Sequence, residues 1–158
     1  MRKVVLINRT TPPWPGDIDS LVQQAAEATI QSEKLPMDRV EVGIQLTSDE
    51  EIQKYNKTYR GVDRATNVLA FAMADGEEEP LAYDGPIPLG DLLLAHETIF
   101  REAQEQNKPF LAHVTHMVVH GTLHLLGYDH ERSTTEAQLQ EAREVTILAK
   151  LNLPNPYG

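Results

Sequence analysis

The chain has 158 residues, a length typical of one domain, and no composition break or low-complexity linker divides it, so residues 1–158 are interpreted as a single domain. It contains no cysteine, which excludes disulfide scaffolds, thiolate nucleophiles and cysteine-rich zinc modules. The 14 Lys and Arg residues against 24 Asp and Glu residues give a net charge of −10. This charge excludes a protein that grips nucleic acid over its whole surface, so a role with nucleic acid requires a local basic patch.

The beginning of the chain contains one short apolar run, residues 4–7, which is too short for a signal-peptide core or a membrane span. Together with the absence of cysteine, this predicts a cytoplasmic protein that does not associate with a membrane. Basic residues concentrate in residues 54–64, and acidic residues concentrate in residues 75–84, where Gly and Pro indicate a long solvated loop. Ordinary surface charge is the simplest interpretation of both segments.

Apolar patterning in the first part of the chain predicts alternating strands and helices. The β-branched run at residues 4–7 favours a strand, and helical spacing after Asp17 predicts a helix to about residue 34. Strict alternation over residues 40–46 is typical of a half-buried strand. The next helix should begin at one of two overlapping capping-box pairs, Thr47 with Glu50 or Ser48 with Glu51.

The second part of the chain predicts two buried strands and then three helices. The strands are short apolar runs at residues 68–73 and 89–94. The helices are expected over residues 96–107, 109–126 and 134–151, with Pro109 in the first turn of the second. The fold class is therefore predicted to be α+β, with a small sheet of about four strands covered by helices.

Histidines dominate residues 120–130, which read H-G-T-L-H-L-L-G-Y-D-H. His120 and His124 are four residues apart on a predicted helix, so their side chains leave the same face. Gly127 falls where this helix should end, and a glycine there can adopt the left-handed conformation that reverses the chain. This turn would return His130 toward the helix. The three histidines are therefore predicted to bind one Zn²⁺ per chain, on this helix and the turn after it.

Three neutral imidazoles leave Zn²⁺ with an open fourth position, which lowers the pKa of bound water to about 7 and is typical of a hydrolytic site. The histidine spacing is that of the metzincin peptidases, H-E-x-x-H-x-x-G-x-x-H. In those enzymes the glutamate takes a proton from the zinc-bound water, but Gly121 occupies that position here. No methionine follows His130 to form the metzincin Met-turn. The pattern therefore predicts a metallohydrolase whose substrate is not a peptide.

Three blocks of sequence resemble the YbeY-type bacterial zinc endoribonucleases, single-domain enzymes of ribosomal RNA maturation and ribosome quality control. The blocks are H-M-V-V-H-G-T-L-H-L-L-G-Y-D-H at residues 116–130, Y-R-G-V-D-R-A-T-N-V-L-A-F at residues 59–71 and L-G-D at residues 89–91. The resemblance covers most of the chain. Small differences are Ala65 in place of the family's usual proline and Ala70 in place of its usual serine.

The resemblance implies that His120, His124 and His130 bind zinc and that Arg60 is a catalytic residue in RNA cleavage. Without it, Arg60 would be interpreted as an ordinary surface residue. The chemistry agrees, because phosphodiester hydrolysis builds negative charge that a metal and a guanidinium both stabilise. The attacking group is either a metal-bound hydroxide or the 2′-OH of the RNA. The implied partners are single-stranded or ribosomal RNA and components of the small ribosomal subunit.

The general base is left open by the sequence. Asp129 and Glu131 flank the third predicted ligand, and either could be the base or could hold the ring N–H of a ligand histidine. His116 and His113 precede the first ligand near the same helix face, where packing or a hydrogen bond to a ligand is favoured over a direct role. Asp91 is another candidate base, but a structural hydrogen-bond acceptor is its favoured role.

Three functions of different classes remain at this stage. The favoured one is a zinc-dependent, single-strand-specific endoribonuclease that acts in ribosomal RNA processing and ribosome quality control. The second is another zinc metallohydrolase, such as a peptidase or a small-molecule esterase, which the missing glutamate disfavours. The third is a non-catalytic ribosome-assembly factor with structural zinc, which a three-ligand site disfavours because structural zinc sites are normally closed.

Overall fold

The computed structural model describes residues 5–9, 14–35, 40–72, 87–128 and 133–157. The acidic segment at residues 75–84, together with Asp129, His130 and Glu131, lies outside the described residues. The described elements follow the predicted order and are, along the chain, β1 (Val5–Arg9), α1 (Ile18–Ser32), β2 (Val40–Thr47), α2 (Asp49–Arg60), β3 (Val68–Ala72), β4 (Ile87–Ala95), α3 (His96–Glu105), α4 (Phe110–Leu125) and α5 (Thr134–Lys150).

The four strands form one sheet in the order β1-β2-β4-β3. Strands β1, β2 and β4 run parallel, and β3 pairs antiparallel with β4 at the edge of the sheet. The predicted α+β class, a four-stranded sheet covered by helices, is confirmed. No helix in the described part of the chain is both long enough and apolar enough to span a membrane.

The two faces of the sheet are covered unequally. The larger core lies on one face, where the alternating residues of β2, from Val40 to Leu46, pack with the apolar sides of α1 and α4. A smaller cluster lies on the opposite face, where Ile52 of α2 packs on Leu69 and Leu93. Helix α2 therefore ends beside the edge strand β3, which positions the last residue of the helix for the site described below.

The helix starts differ in detail from the sequence prediction. Ser48, and not Thr47, is the N-cap of α2, because its side chain accepts a hydrogen bond from the Glu51 N–H at 3.3 Å. Asp17 does stand at the N-cap of α1, but its side chain makes no capping hydrogen bond. Pro109 lies immediately before α4 instead of within its first turn.

Candidate active site

A cleft of about 980 Å³ opens between α4 and the edge strand β3. Strand β3 and the loop before it form one wall, and the end of α2 contributes Arg60. The opposite wall is the histidine-bearing side of α4, and Tyr157 from the segment after α5 also lines the cleft. The cleft therefore brings together side chains that are far apart in the sequence.

Four histidines follow one another along the α4 wall, namely His113, His116, His120 and His124. The ring centroids of His113 and His116 are 6.1 Å apart, and those of His116 and His120 are 6.4 Å apart. The rings of His113 and His116 are buried, whereas His120 and His124 are half-buried. This difference leaves the last two histidines more accessible to a ligand in the cleft than the first two.

Glu144 of α5 lies beneath this wall and joins two of the histidines. Its carboxylate is fully buried and accepts a hydrogen bond from His116 Nε2 at 2.7 Å and another from His120 Nδ1 at 2.6 Å. The Tyr157 hydroxyl donates a third at 2.5 Å. With Nδ1 of His120 engaged by a carboxylate, Nε2 is the ring nitrogen that can ligate a metal.

The ionisation states in this cluster follow from burial and hydrogen bonding. Burial raises the pKa of Glu144, but hydrogen bonds from His116 and His120 outweigh it and lower the pKa to about 2. Burial lowers the pKa of His116, and burial together with the bond to Glu144 raises that of Tyr157. Glu144 is therefore an anion at neutral pH that accepts from a neutral imidazole and a protonated phenol.

A second carboxylate, Glu102 of α3, holds the other end of the histidine row. It accepts a hydrogen bond from His113 Nε2 at 2.8 Å and two from the Asn67 amide at 3.1 and 3.2 Å. Burial raises the pKa of Glu102, but the bonds from His113 and Asn67 lower it more. This pair ties α3 and the loop before β3 to α4, and so stabilises the cleft wall.

After α4, Gly127 adopts the left-handed conformation that the sequence predicts. Gly127 has φ of 108°, its N–H donates to the His124 carbonyl, and the Tyr128 N–H donates to the Leu123 carbonyl, which is a Schellman ending. The Tyr128 hydroxyl then donates to Glu33, the C-cap residue of α1, at 2.9 Å. The chain is therefore anchored two residues before His130.

Gly121 faces the sheet, and its lack of a side chain has a packing reason. A Cβ at this position would lie 2.8 Å from Leu92 Cδ2 and 3.3 Å from Val68 Cγ2. Leu92 is fully buried, so even alanine would require the core to shift. The position that carries the peptidase glutamate is thus used here to bring α4 close to the sheet.

Arg60 reaches the cleft from the last turn of α2. Its Nη2 donates to the Ala70 carbonyl of β3 at 2.7 Å, and its guanidinium carbon lies 5.5 Å from the centre of the Phe71 ring. Arg64 and Lys108 line the same cleft, where Glu102 is the one carboxylate among the described lining residues. The acidic chain therefore carries a local basic patch at this cleft.

Comparison with known proteins identifies the family. The model of the Endoribonuclease YbeY family matches residues 8–152. The Endoribonuclease YbeY of Magnetococcus marinus is 57% identical over 122 residues, which are 75% of this chain and 83% of that protein. That of Paramagnetospirillum magneticum is 40% identical over 157 residues, which are 98% of this chain and 95% of that protein. The chain belongs to the endoribonuclease YbeY family.

A solved structure shows the same fold. The solution structure of TM1509 from Thermotoga maritima matches with a TM-score of 0.56 and 24% identity, and the match covers 93% of this chain and 92% of that one. Membership in the YbeY family makes the chain an endoribonuclease, a hydrolase. It thus favours the first of the three functions weighed from the sequence.

The YbeY fold separates the predicted site residues into three groups. Arg60, His116, His120 and His124 line one cleft. Asp91 is on the opposite face of the sheet, where it lines a separate hollow. His130, Asp129 and Glu131 lie outside the described residues. In the part of the chain that the structure describes, no three His, Asp or Glu side chains are grouped to hold a metal.

Two acidic residues of this site, Glu144 and Glu102, were not predicted from the sequence. Glu144 lies in the stretch Q-E-A-R-E-V-T of α5, and Glu102 lies in R-E-A-Q-E of α3; both resemble the solvent-facing side of an ordinary charged helix. A weak signal existed for Glu144, because it lies four residues before Leu148 and three before Ile147, on the side of α5 that is buried.

Proposed function

We propose that this YbeY family member is a zinc-dependent, single-strand-specific endoribonuclease that matures ribosomal RNA and acts in ribosome quality control in the cytoplasm. The observation that carries the proposal is that Arg60 and the pair His120 and His124, about sixty residues apart in the sequence, line one cleft. A cation that binds phosphate and a metal-binding pair therefore face the same ligand.

One Zn²⁺ would be held by His120, His124 and His130. The donor set fits zinc, since neutral imidazoles are ligands that zinc favours and the chain has no thiolate to compete. The carboxylate of Glu144 fits it too, because metal-ligating histidines normally donate their other ring N–H to such a group. The anchored turn at Gly127 and Tyr128 supports the return of His130. When bound, the ion would supply a Lewis acid for the phosphate and lower the pKa of water.

Arg60 would bind a non-bridging oxygen of the scissile phosphate. Its bond to the Ala70 carbonyl holds the guanidinium at the cleft wall and leaves further N–H donors on the same group for the RNA. Negative charge grows on these oxygens as the phosphodiester bond breaks, and a guanidinium in a fixed position stabilises that charge without reorganising. Arg64 and Lys108 would bind flanking phosphates.

The positions of His116 and Asp91 argue against either residue as the general base. His116 is buried and commits its Nε2 N–H to Glu144, so its role is to help orient that carboxylate. Asp91 lies on the far side of the sheet from the histidines. The general base is therefore sought in Asp129 or Glu131, which flank His130 in the sequence.

The substrate proposal rests on the charge of the cleft. Arg60, Arg64 and Lys108, which line it between α4 and the edge strand, match the phosphate backbone of RNA. Ribosomal RNA and components of the small ribosomal subunit are the proposed partners. The overall charge of −10 supports a contact limited to this patch, because the rest of an acidic surface repels RNA.

The test measures zinc content and cleavage of a single-stranded RNA for the wild type, His124→Ala, Arg60→Ala and Arg60→Lys. His124→Ala should lose both zinc and cleavage. Arg60→Ala should keep zinc but lose about 2 to 3 kcal/mol of transition-state stabilisation, roughly 30- to 150-fold in rate. Arg60→Lys should recover part of this loss, because an ammonium keeps the charge but lacks the bidentate fork.

Lys57→Ala is the matched control for Arg60. Lys57 lies one turn earlier on α2, is exposed and pairs with Asp63 at 3.8 Å instead of lining the cleft. Its removal should leave the cleavage rate within about twofold. Full zinc occupancy in His124→Ala would contradict the metal assignment, and wild-type cleavage by Arg60→Ala would contradict the role of the arginine.

A further inference from the structure

Three side chains, Tyr55, Tyr59 and Phe71, form a continuous patch where the end of α2 meets β3, and we name this patch the aromatic cluster. The rings of Tyr55 and Tyr59 are stacked, with centroids 6.0 Å apart and planes at 19°. The rings of Tyr59 and Phe71 meet edge to face at 5.7 Å. Tyr59 is 67% exposed, more than any other large apolar side chain in the described part of the chain. Tyr55 and Phe71 therefore pack against the Tyr59 ring, which is still largely exposed to solvent.

The aromatic cluster borders a hollow of about 560 Å³ on the face of the sheet that carries α2. Among the described residues that line this hollow there is no Lys, Arg or His, and the one charged side chain is the carboxylate of Asp91. Leu92, Leu93 and the three aromatic residues make up half of the other lining residues, which also include the uncharged amide side chains of Asn8 and Gln45. A carboxylate beside apolar rings repels a phosphate but accommodates a neutral planar ring.

Arg60 connects this hollow with the candidate active site. It lines the cleft, yet its guanidinium lies 5.5 Å from the centre of the Phe71 ring, which belongs to the aromatic cluster. The hydrogen bond from Arg60 to the Ala70 carbonyl holds the guanidinium against the edge strand β3. A strand of RNA with one phosphate on Arg60 could therefore place its next nucleotide beside the aromatic cluster.

From this juxtaposition we infer that Tyr59, supported by Tyr55 and Phe71, is a stacking platform for one unpaired base of the RNA. The base belongs to the nucleotide adjacent to the phosphate held by Arg60, so the inference rests on the proposed function of the cleft. Stacking on aromatic side chains accepts every base, because each has a π face. A paired base is already stacked within its duplex, so the platform selects for single-stranded RNA.

The test compares Tyr59→Ala, Tyr59→Leu and Tyr59→Trp with the wild-type full-length protein. The probe is an unstructured ten-nucleotide RNA that carries 2′-O-methyl groups, which resist cleavage, and affinity is measured by fluorescence anisotropy. Tyr59→Ala and Tyr59→Leu should weaken binding about 5- to 150-fold, the range expected for the loss of one stacked base, and Tyr59→Trp should retain it. Leu139→Ala is the matched control, because Leu139 is a 56% exposed apolar residue on α5, outside both the cleft and the hollow.

A second series locates the base. Each RNA in it has one abasic nucleotide, moved stepwise along the strand. One position should weaken binding to the wild type by the same factor as Tyr59→Ala, and should have no further effect on the Tyr59→Ala protein. Equal affinities for the wild type and Tyr59→Ala, or abasic effects that the variant does not remove, would overturn the inference; the first result would indicate a platform for a protein surface instead.

The outcome is distinguishable from that of the proposed function, because affinity for uncleavable RNA does not depend on catalysis. Binding that depends on Tyr59 by a protein that cuts no RNA would overturn the proposed function and support the platform. Cleavage and binding that are both unchanged in Tyr59→Ala would overturn the platform alone. Thermal unfolding of each variant confirms that the fold is retained, as expected for an exposed side chain.

Discussion

Two histidine–carboxylate pairs, toward opposite ends of the histidine row on α4, use the same chemistry for different purposes. Toward one end His113 donates to Glu102 at 2.8 Å, and toward the other end His120 donates to Glu144 at 2.6 Å. The His113 side chain is 3% exposed and that of His120 is 20% exposed, whereas Glu102 is 27% exposed and Glu144 is fully buried. The imidazole is therefore the more buried partner in the His113–Glu102 pair, and the carboxylate is the more buried partner in the His120–Glu144 pair.

Which partner is buried decides whether a histidine–carboxylate pair supports the structure or leaves its imidazole accessible to a ligand. When the imidazole is buried, as in His113, both ring nitrogens are enclosed, and Nδ1 is buried without a hydrogen-bond partner. In the other pair the carboxylate of Glu144 is buried and the ring of His120 reaches the cleft. Because the acid itself does not reach the cleft, its role is to orient the imidazole toward a ligand. The same two residue types therefore stabilise the cleft wall in one pair and orient the proposed metal ligand His120 in the other.

The largest effect that separates the two ends is expected for zinc affinity. Glu144→Gln keeps the shape of the side chain, but its amide nitrogen cannot accept the hydrogen bonds that the carboxylate receives from two imidazoles and a phenol. Zinc affinity, measured by competition with a chromogenic chelator, should fall about 10- to 100-fold. Glu102→Gln is the matched control and should keep wild-type affinity. Equal losses of zinc affinity in Glu144→Gln and Glu102→Gln would show that Glu144 has no special role in orienting a metal ligand.

A smaller effect is expected at the other end, in stability and its dependence on pH. Glu102→Gln should lower the free energy of unfolding by about 1 to 2 kcal/mol at pH 6, because it weakens bonds from His113 and Asn67 to a charged acceptor. The pKa of Glu102 is below its ordinary value of 4.5 in the folded protein, so this stabilisation is present above pH 4.5 and is lost as the pH falls below it.

Urea unfolding of the zinc-free wild type and Glu102→Gln at pH 6 and at pH 3 measures this dependence. The stability difference between the two proteins should shrink at pH 3, since Glu102 is then increasingly protonated in both the folded and the unfolded wild type. A difference that stays constant over this range would mean that the ionised form of Glu102 is not what stabilises the wall.

The smallest effect is expected for the third partner of Glu144. Tyr157→Phe removes one hydroxyl donor but leaves the bonds from His116 and His120 in place. The free energy of unfolding should fall by about 0.5 to 1.5 kcal/mol, and zinc affinity should change less than threefold. A loss of zinc affinity as large as that of Glu144→Gln would assign the orienting role to the phenol as much as to the carboxylate.

Short-range patterns were sufficient for most of the fold and for part of the site. The alternation in β2, a helix cap at residue 47 or 48 and the i, i+4 spacing of His120 and His124 are local, and each was predicted because such patterns follow directly from backbone geometry. The choice between two overlapping caps was not predictable, because both pairs have the same spacing. The His130 ligand and the neighbouring acids remain predictions.

From the sequence come the α+β class and the order of the elements, which the structure confirms. The sequence also predicts the histidine pair as metal ligands and, through its resemblance to the YbeY family, a catalytic role for Arg60. Three features depend on the packing of distant elements: Arg60 and His120 share a cleft, Gly121 lets α4 approach the sheet, and Glu144, 24 residues further along the chain, holds His120 from α5. The physical reason is that a buried carboxylate is identified by its partners. Its partners are brought to it by helix packing, which no spacing along the chain records.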